Sequence, residues 1–379
     1  MVGSLPPIKG MSAYCLSQVQ ALSKLIKIDF INFKTIYPRI IYPIEEKEDD
    51  KVFKVKLNGN VSVDERLRWY NLPGSAFAGY QAKNKLLHFH WWTSFLFIVF
   101  FPLTVLAKWR GKKILCTAHN VIGHESSLLD RLLCRWMLAV PDHFIVHSEK
   151  NKKQLTEHFG VLPEHIDVIP HGRYDFYIDE VIEKKAARHY LQLPENAKVV
   201  LFFGHVRNYK GVDTLLEAVS QLKSEFAELT CIIAGKNWVS WDPFQKIIDE
   251  NKLQDIVEAD LEYVPSSKVK YLFSAADVVV LPYKKFDSQS GPGNIALAFN
   301  KALIVSEVGG LPDLVLNEKA IFEPGNVKNL TECLRNVLKN DTHRVLLEND
   351  SKELAKKYSW DEIAKQTVEL YRRLLKNET

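Results

Sequence analysis

The chain has 379 residues, 46% hydrophobic and 25% charged, with a formal net charge of +4, which excludes a disordered or fibrous class. One hydrophobic core stops growing near roughly 250–300 residues, so two domains are expected. Five scattered cysteines without C-x-x-C spacing exclude a disulfide framework and a zinc–cysteine cluster and read as reduced, cytoplasmic chemistry, while the diffuse charge excludes a focused nucleic-acid surface.

No basic region followed by an apolar run stands in Met1–Gly10, so no signal peptide is expected. Val2-Gly3-Ser4-Leu5-Pro6-Pro7 reads as a strand end entering a loop, which leaves either a late start or an unusually short first strand. Met11–Leu25 reads as a helix, Ile28–Phe33 as a strand and Leu86–His90 as the next strand. Trp91–Ala107 follows, the most membrane-like run, with Lys108, Arg110, Lys112 and Lys113 behind it. A bilayer span needs about 20 residues, and Pro102 interrupts this shorter run. A buried helix is the preferred reading, and an interfacial segment near lipid the alternative. Strand Lys113–Ala118, helix Leu128–Leu138, strand His143–His147, helix Asn151–Phe159 and strand His165–Ile169 continue the alternation. Such alternation predicts a parallel sheet covered on both faces.

After the charged stretch Asp179–Arg188 the pattern restarts. Val199–Gly204 is a β-rich run ending in glycine, Asp213–Lys223 a helix, and Leu229–Gly235 another strand ending in glycine. Val257–Tyr263 and Ser267–Ser274 read as a short strand and a helix. Asp277–Pro282 and Ala302–Ser306 are continuous apolar runs suited to the centre of a parallel sheet, and Trp360–Leu375 is helical. The expectation is α/β, with two units meeting near Gly172–Lys185. Open parallel sheets bind ligands beyond the carboxyl ends of their strands, which directs attention to the loops after Gly204, Gly235, Pro282 and Ser306.

Gly204-His205-Val206-Arg207-Asn208-Tyr209-Lys210-Gly211 joins a strand to a helix with two cations, a composition suited to a diphosphate or simply to a solvated basic turn. Asp287-Ser288-Gln289-Ser290-Gly291-Pro292-Gly293-Asn294 leads a small-residue helix, whose exposed amides and dipole favour phosphate. No Walker lysine pattern accompanies it. Val308-Gly309-Gly310 allows close backbone approach to a ligand or merely a tight turn. Histidines cluster in the first half at His88, His90, His119 and His124, without convincing metal-ligand spacing. His119, just past a strand end, is a candidate to orient or polarise a substrate, and His88 reads as core.

These motifs in this order resemble the retaining glycosyltransferases of family 4, which have the GT-B fold. The resemblance runs through Pro6-Pro7…Gly10, HFHWW and Thr117-Ala118-His119-Asn120. It continues in Ile169-Pro170-His171-Gly172, GHVRNYKGVDTLLEA, IIAG, Ala276–Pro282 and ALIVSEVGGLPD. It implies two facing Rossmann-like domains. Residues 1–172, joined by a returning helix 360–379, form the acceptor side, and residues 173–359 hold the donor. It implies that Arg207, Lys210, Gly10, Ser290 and Gly291 meet the donor diphosphate and that His119 lies near the donor sugar. The family's Glu-x7-Glu signature aligns with Asp287 and Ile295. Asp287 is then the catalytic-loop acid, while Ile295 cannot grip a ribose, which leaves Asn294 as the candidate for that contact.

The implied activity is transfer of a hexose-type sugar from a nucleoside diphosphate sugar, the co-substrate, with retention at the anomeric carbon. No cofactor or metal is called for, because Lys210, Arg207 and backbone amides supply the electrostatics. The acceptor is expected to be a glycan or a lipid-linked sugar in cell-surface polysaccharide or glycoconjugate synthesis. The expected location is cytoplasmic, with peripheral contact at the inner membrane face left open by Trp91–Ala107, Trp136 and Met137. Two alternatives stand beside this: an epimerase or hydrolase on the same fold, and an inactive sugar-nucleotide- or glycan-binding subunit motivated by Ile295. A nicotinamide dehydrogenase is disfavoured, as no complete G-x-G-x-x-G follows either first strand.

Overall fold

The computed structural model describes all residues except 7–10, 39–55, 120–127, 179, 181, 287–289 and 377–379. The chain forms two units, Met1–Gly172 with Tyr358–Thr379, and Arg173–Lys357.

The first unit is built on seven parallel strands: β1 Val2–Gly3, β2 Ile28–Thr35, β3 Val61–Arg68, β4 Leu86–Trp91, β5 Lys113–Ala118, β6 His143–Val146 and β7 Ile166–Val168, in the order β3-β2-β1-β4-β5-β6-β7. The first strand is two residues long, yet it pairs with both β2 and β4. One face is covered by the helix Phe97–Trp109, whose Val99, Phe100, Leu103 and Ala107 are wholly buried. Pro102 lies inside this helix, and the Thr104 hydroxyl donates to the Phe100 carbonyl at 2.7 Å. Among the described residues no helix is long and apolar enough to cross a membrane.

The other face is covered by the helices Ser12–Leu22 and Trp360–Lys376. Tyr14, Cys15, Val19 and Leu22 share one core with Trp360, Ile363, Ala364, Val368 and Tyr371. The chain's last helix therefore returns to the first unit because its apolar stripe is matched there. His88 is core, as its placement in a strand suggests. Its Nε2 lies 2.7 Å from the Thr117 hydroxyl and its Nδ1 2.5 Å from the Tyr371 hydroxyl.

The second unit has six parallel strands: β8 Lys198–Phe203, β9 Leu229–Ala234, β10 Val257–Asp260, β11 Val278–Leu281, β12 Ala302–Ser306 and β13 Ile321–Phe322, in the order β10-β9-β8-β11-β12-β13. Strands β8, β9, β11 and β12 are buried almost throughout, which accounts for their unbroken apolar sequences. Asp277 ties the amino ends of β8 and β11 together. It accepts from the Val199 N–H at 2.7 Å and from the buried Arg188 at 2.8 Å, with Lys184 on its second oxygen. A buried carboxylate is tolerated because two cations and an amide satisfy it. This clamp sets the two strands whose opposite ends carry the candidate site.

Candidate functional site

In the second unit, Arg207 and Lys210 stand in the loop after β8. Gly204 (φ +121°) opens this loop and Gly211 (φ +70°) closes it into the helix Val212–Leu222. Both backbones lie in the left-handed region, and a Cβ on Gly211 would strike the Pro282 carbonyl. A Cβ on Gly204 would come within 3.0 Å of Pro292 in the helix Gly291–Ala298, so the first loop lies directly against that helix start. The Lys284 N–H donates to the Tyr209 carbonyl at 2.7 Å, closing the two loops on each other.

Lys210 is 8% exposed, and its ammonium lies 3.5 Å from the centre of the Tyr283 ring and 4.9 Å from that of Phe286. Among the described residues it makes no ion pair. Burial first, and the Arg207 charge second, lower its pKa to about 7. Tyr283 also touches Ser290: their hydroxyl oxygens are 3.1 Å apart, and burial, the main cause, holds the phenol pKa well above its ordinary value. Ser290 caps the helix Gly291–Ala298, accepting from the Gly293 N–H at 3.4 Å. Lys210, Tyr283, Ser290 and the helix start thus form one contiguous cradle, with the helix dipole adding to the cation.

Arg207 turns toward the loop after β9. Its guanidinium carbon is 5.2 Å from the Trp238 ring centre, and the Lys236 ammonium is 5.1 Å from the same centre. His205, exposed beside them, packs edge-on to the indole at 5.8 Å. Desolvation first, then Arg207, Lys210 and Lys236, lower its pKa. The loops after Gly235 and Pro282 were expected to carry chemistry, but Lys236, Trp238 and Tyr283 within them were not singled out, because only strand adjacency brings the β9 and β11 loops to the β8 loop.

Asn294 is wholly buried, as is nearly all of Ile295. The side chain of Asn294, the candidate for the ribose contact, is thus covered, and residues 287–289 of the loop leading into its helix lie outside the described ones. Gly10 and Asp287 lie outside the described residues.

In the first unit, four histidines sit at the carboxyl ends of adjacent strands: His90 in β4, His119 after β5, His147 after β6 and His171 after β7. The Tyr14 ring centre lies 5.5, 4.5, 5.5 and 4.8 Å from theirs in that order, with Trp360 at 5.0 Å. Burial, the largest cause in each case, lowers their pKa values: His90 and His171 to about 3, His147 to about 4 and His119 well below its ordinary value.

At neutral pH all four are uncharged, and geometry fixes all four tautomers, His171 Nδ1 donating to the Gly172 carbonyl at 2.7 Å. The Ile169 carbonyl can only accept, so His147 Nδ1 donates to it at 2.9 Å. His147 Nε2 then accepts from His119 Nδ1 at 3.0 Å, and His119 Nε2 accepts from His90 Nδ1 at 3.2 Å. Both ring nitrogens of His119 are held by histidines. His90 Nε2, the end of the series, has no hydrogen-bond partner among the described residues.

Residues 183–364 match the family model described as glycosyl transferases group 1, and residues 8–173 match that of glycosyltransferase family 4. The chain belongs to these glycosyltransferases. The enzyme is similar to the D-inositol 3-phosphate glycosyltransferase of Corynebacterium aurimucosum, 22% identical over 96% of this chain and 90% of that relative. It is 25% identical to the phosphatidylinositol N-acetylglucosaminyltransferase GPI3 subunit of Saccharomyces cerevisiae, over 70% of this chain and 58% of that subunit. Among solved structures, the glycosyltransferase resembles sucrose-phosphate synthase from Thermosynechococcus elongatus (TM-score 0.72, 20% identity, 99% of this chain and 96% of that one). It also resembles Anabaena HepE in complex with UDP (TM-score 0.74, 15% identity, 98% and 99%). These likenesses establish the GT-B fold of the two Rossmann-like units.

Proposed function

We propose that this glycosyltransferase moves a hexose-type sugar from a nucleoside diphosphate sugar to a glycan or lipid-linked acceptor, with retention at the anomeric carbon. The observation that carries the donor reading is Lys210, a buried ammonium with no carboxylate partner among the described residues, beside a serine-capped helix start. As the bond from the anomeric carbon to the diphosphate breaks, charge accumulates on the leaving oxygen. Lys210, Arg207 and the amides about Ser290 and Gly291 are arranged to receive it without reorganisation. The UDP and UDP-glucose complexes of HepE support a site of this kind. His119, held rigid in one tautomer, would border the sugar through its position rather than act as a proton carrier.

The acceptor reading draws on the first unit's surface. In the helix Leu128–Leu138, Leu128, Leu129, Leu132 and Trp136 are 85%, 63%, 44% and 52% exposed. They form one stripe, flanked by Arg131 and Arg135, and Trp136 continues onto Phe97 and Phe101 of the neighbouring helix. An apolar stripe bordered by arginines fits an anionic membrane surface. We therefore place the enzyme at the cytoplasmic membrane face, in cell-surface polysaccharide or glycoconjugate synthesis.

The test is a panel of UDP-, GDP-, ADP- and dTDP-sugars, with and without membrane lipid extract, scored by released nucleotide. Release from one donor that rises with the extract is expected. Buried Asn294 and Ile295 favour a second reading, an inactive binding subunit, and tight donor binding without release would select it.

A further inference from the structure

The donor reading assigns the loops after β8 and β11 and leaves Lys236 and Trp238 without a role. These residues follow β9, the next strand along the same edge in the order β10-β9-β8-β11. Their loop is held as an extension of the sheet. Val206 and Asn237 form a parallel bridge beyond the strand ends, and the Trp238 N–H donates to the Val206 carbonyl at 3.1 Å. Trp238 is nevertheless 52% exposed.

Arg207 and Lys236 both approach its ring, and among the described residues neither makes an ion pair. The ring holds both cations by cation–π contact, which leaves a half-exposed aromatic face and two positive charges together at the strand ends, a combination suited to a ligand that carries both a flat ring and negative charge. The cradle formed by Lys210, Tyr283 and Ser290 receives the outer end of a diphosphate. Two strand spacings separate β11 from β9, roughly 10 Å, which is about the reach from that outer phosphate to a base. On the helix Gly291–Ala298 the side chains of Asn294 and Ile295 are buried.

Resting on the donor reading above, we propose that Trp238 and Lys236 form the nucleoside monophosphate half of the donor site. The indole stacks the base, Lys236 meets the phosphate next to the ribose, and Arg207 bridges the two phosphates. The ligand class is a nucleoside diphosphate sugar whose nucleoside is held by stacking and charge.

Calorimetry with UDP, GDP, ADP and dTDP identifies the nucleotide that binds. That nucleotide, its monophosphate and inorganic pyrophosphate are then titrated into wild type, Trp238→Ala, Trp238→Phe and Lys236→Gln. Trp238→Ala and Lys236→Gln should each weaken the diphosphate and the monophosphate about tenfold, as loss of one stacked base or one charge contact does. Pyrophosphate should bind wild type, Trp238→Ala and Trp238→Phe alike, which also shows that the tryptophan variants are folded, while Lys236→Gln should weaken it as it weakens the nucleotides, and Trp238→Phe should retain most nucleotide affinity. Unchanged monophosphate binding in Trp238→Ala, or an equal loss for pyrophosphate in that variant, overturns this assignment alone. If wild type binds none of the four nucleotides and no pyrophosphate, the donor reading falls and this assignment with it.

Discussion

Lys210 is an ammonium that burial and Arg207 hold near a pKa of about 7, against the Tyr283 ring. Its charged form, the one that binds a diphosphate, is dominant below that value and fades above it. A bound diphosphate raises the pKa again, so donor binding takes up a proton. Affinity for the nucleotide sugar, whose own diphosphate does not titrate in this range, should rise up to about tenfold for each unit by which pH falls on the alkaline side of the transition. Calorimetry from pH 8 to pH 6, in buffers of different ionisation heat, measures both the slope and the proton. Lys210→Arg should remove the slope, and an unchanged slope in that variant would rule out Lys210 as its source.

At this scale sequence reading reached residues whose neighbours in the chain announce them. Arg207 and Lys210 follow an apolar strand, and Ser290 precedes small residues that start a helix. It reached the loops that hold Lys236, Trp238 and Tyr283 but not those residues, whose relevance comes from strand order, nor could it tell that Asn294 is buried.

Elements were legible where pattern and burial agree. The central strands β8, β11 and β12 are continuous apolar runs, and Leu128–Leu138 and Lys113–Ala118 appear with the bounds their sequences suggest. Strand β3, Val61–Arg68, was missed because it is a polar edge strand with mostly exposed side chains. The run Trp91–Ala107 divides: its first residue, Trp91, completes β4, and its helix begins at Phe97 and is anchored by buried residues.

The exposed stripe next to it belongs instead to the helix Leu128–Leu138, where positions 128, 132 and 136 align at four-residue spacing. Ser94 donates to Asp130 at 2.5 Å, fixing that helix so that its stripe stays outward. Flotation with vesicles containing phosphatidylglycerol should carry the enzyme, with weaker flotation on uncharged vesicles or in high salt. Leu129→Glu with Trp136→Glu should abolish it without loss of thermal stability, as both positions are exposed. Wild-type protein that stays with the soluble fraction on all vesicles, or a double variant that still floats, would remove the membrane from the acceptor reading.

Across the whole molecule, ionisable burial is unequal. The first unit encloses His88, His90, His119, His147 and His171, all with pKa values lowered chiefly by burial. The second unit encloses no such row among its described residues. No single spacing in the sequence marks the row, because parallel strands separated by whole helices bring its members together. In the unfolded chain these histidines titrate near about 6.5. The folded unit excludes their protons until far lower pH. Stability from this source is therefore complete above about pH 6.5 and is lost as pH falls below it. Each histidine removes about 1.4 kcal/mol per pH unit once the unfolded form is protonated.

The first unit should thus unfold separately from the second near pH 5, and the two should melt closer together at pH 7.5. Six of the eight tryptophans, at positions 69, 91, 92, 109, 136 and 360, lie in the first unit, so tryptophan fluorescence reports mainly on it. A scanning-calorimetry profile that splits on acidification, with the lower transition coinciding with the fluorescence change, is the expected result. A single transition whose midpoint stays constant from pH 7.5 to pH 5 would mean that the folded row takes up protons as readily as the unfolded chain, and would overturn this account.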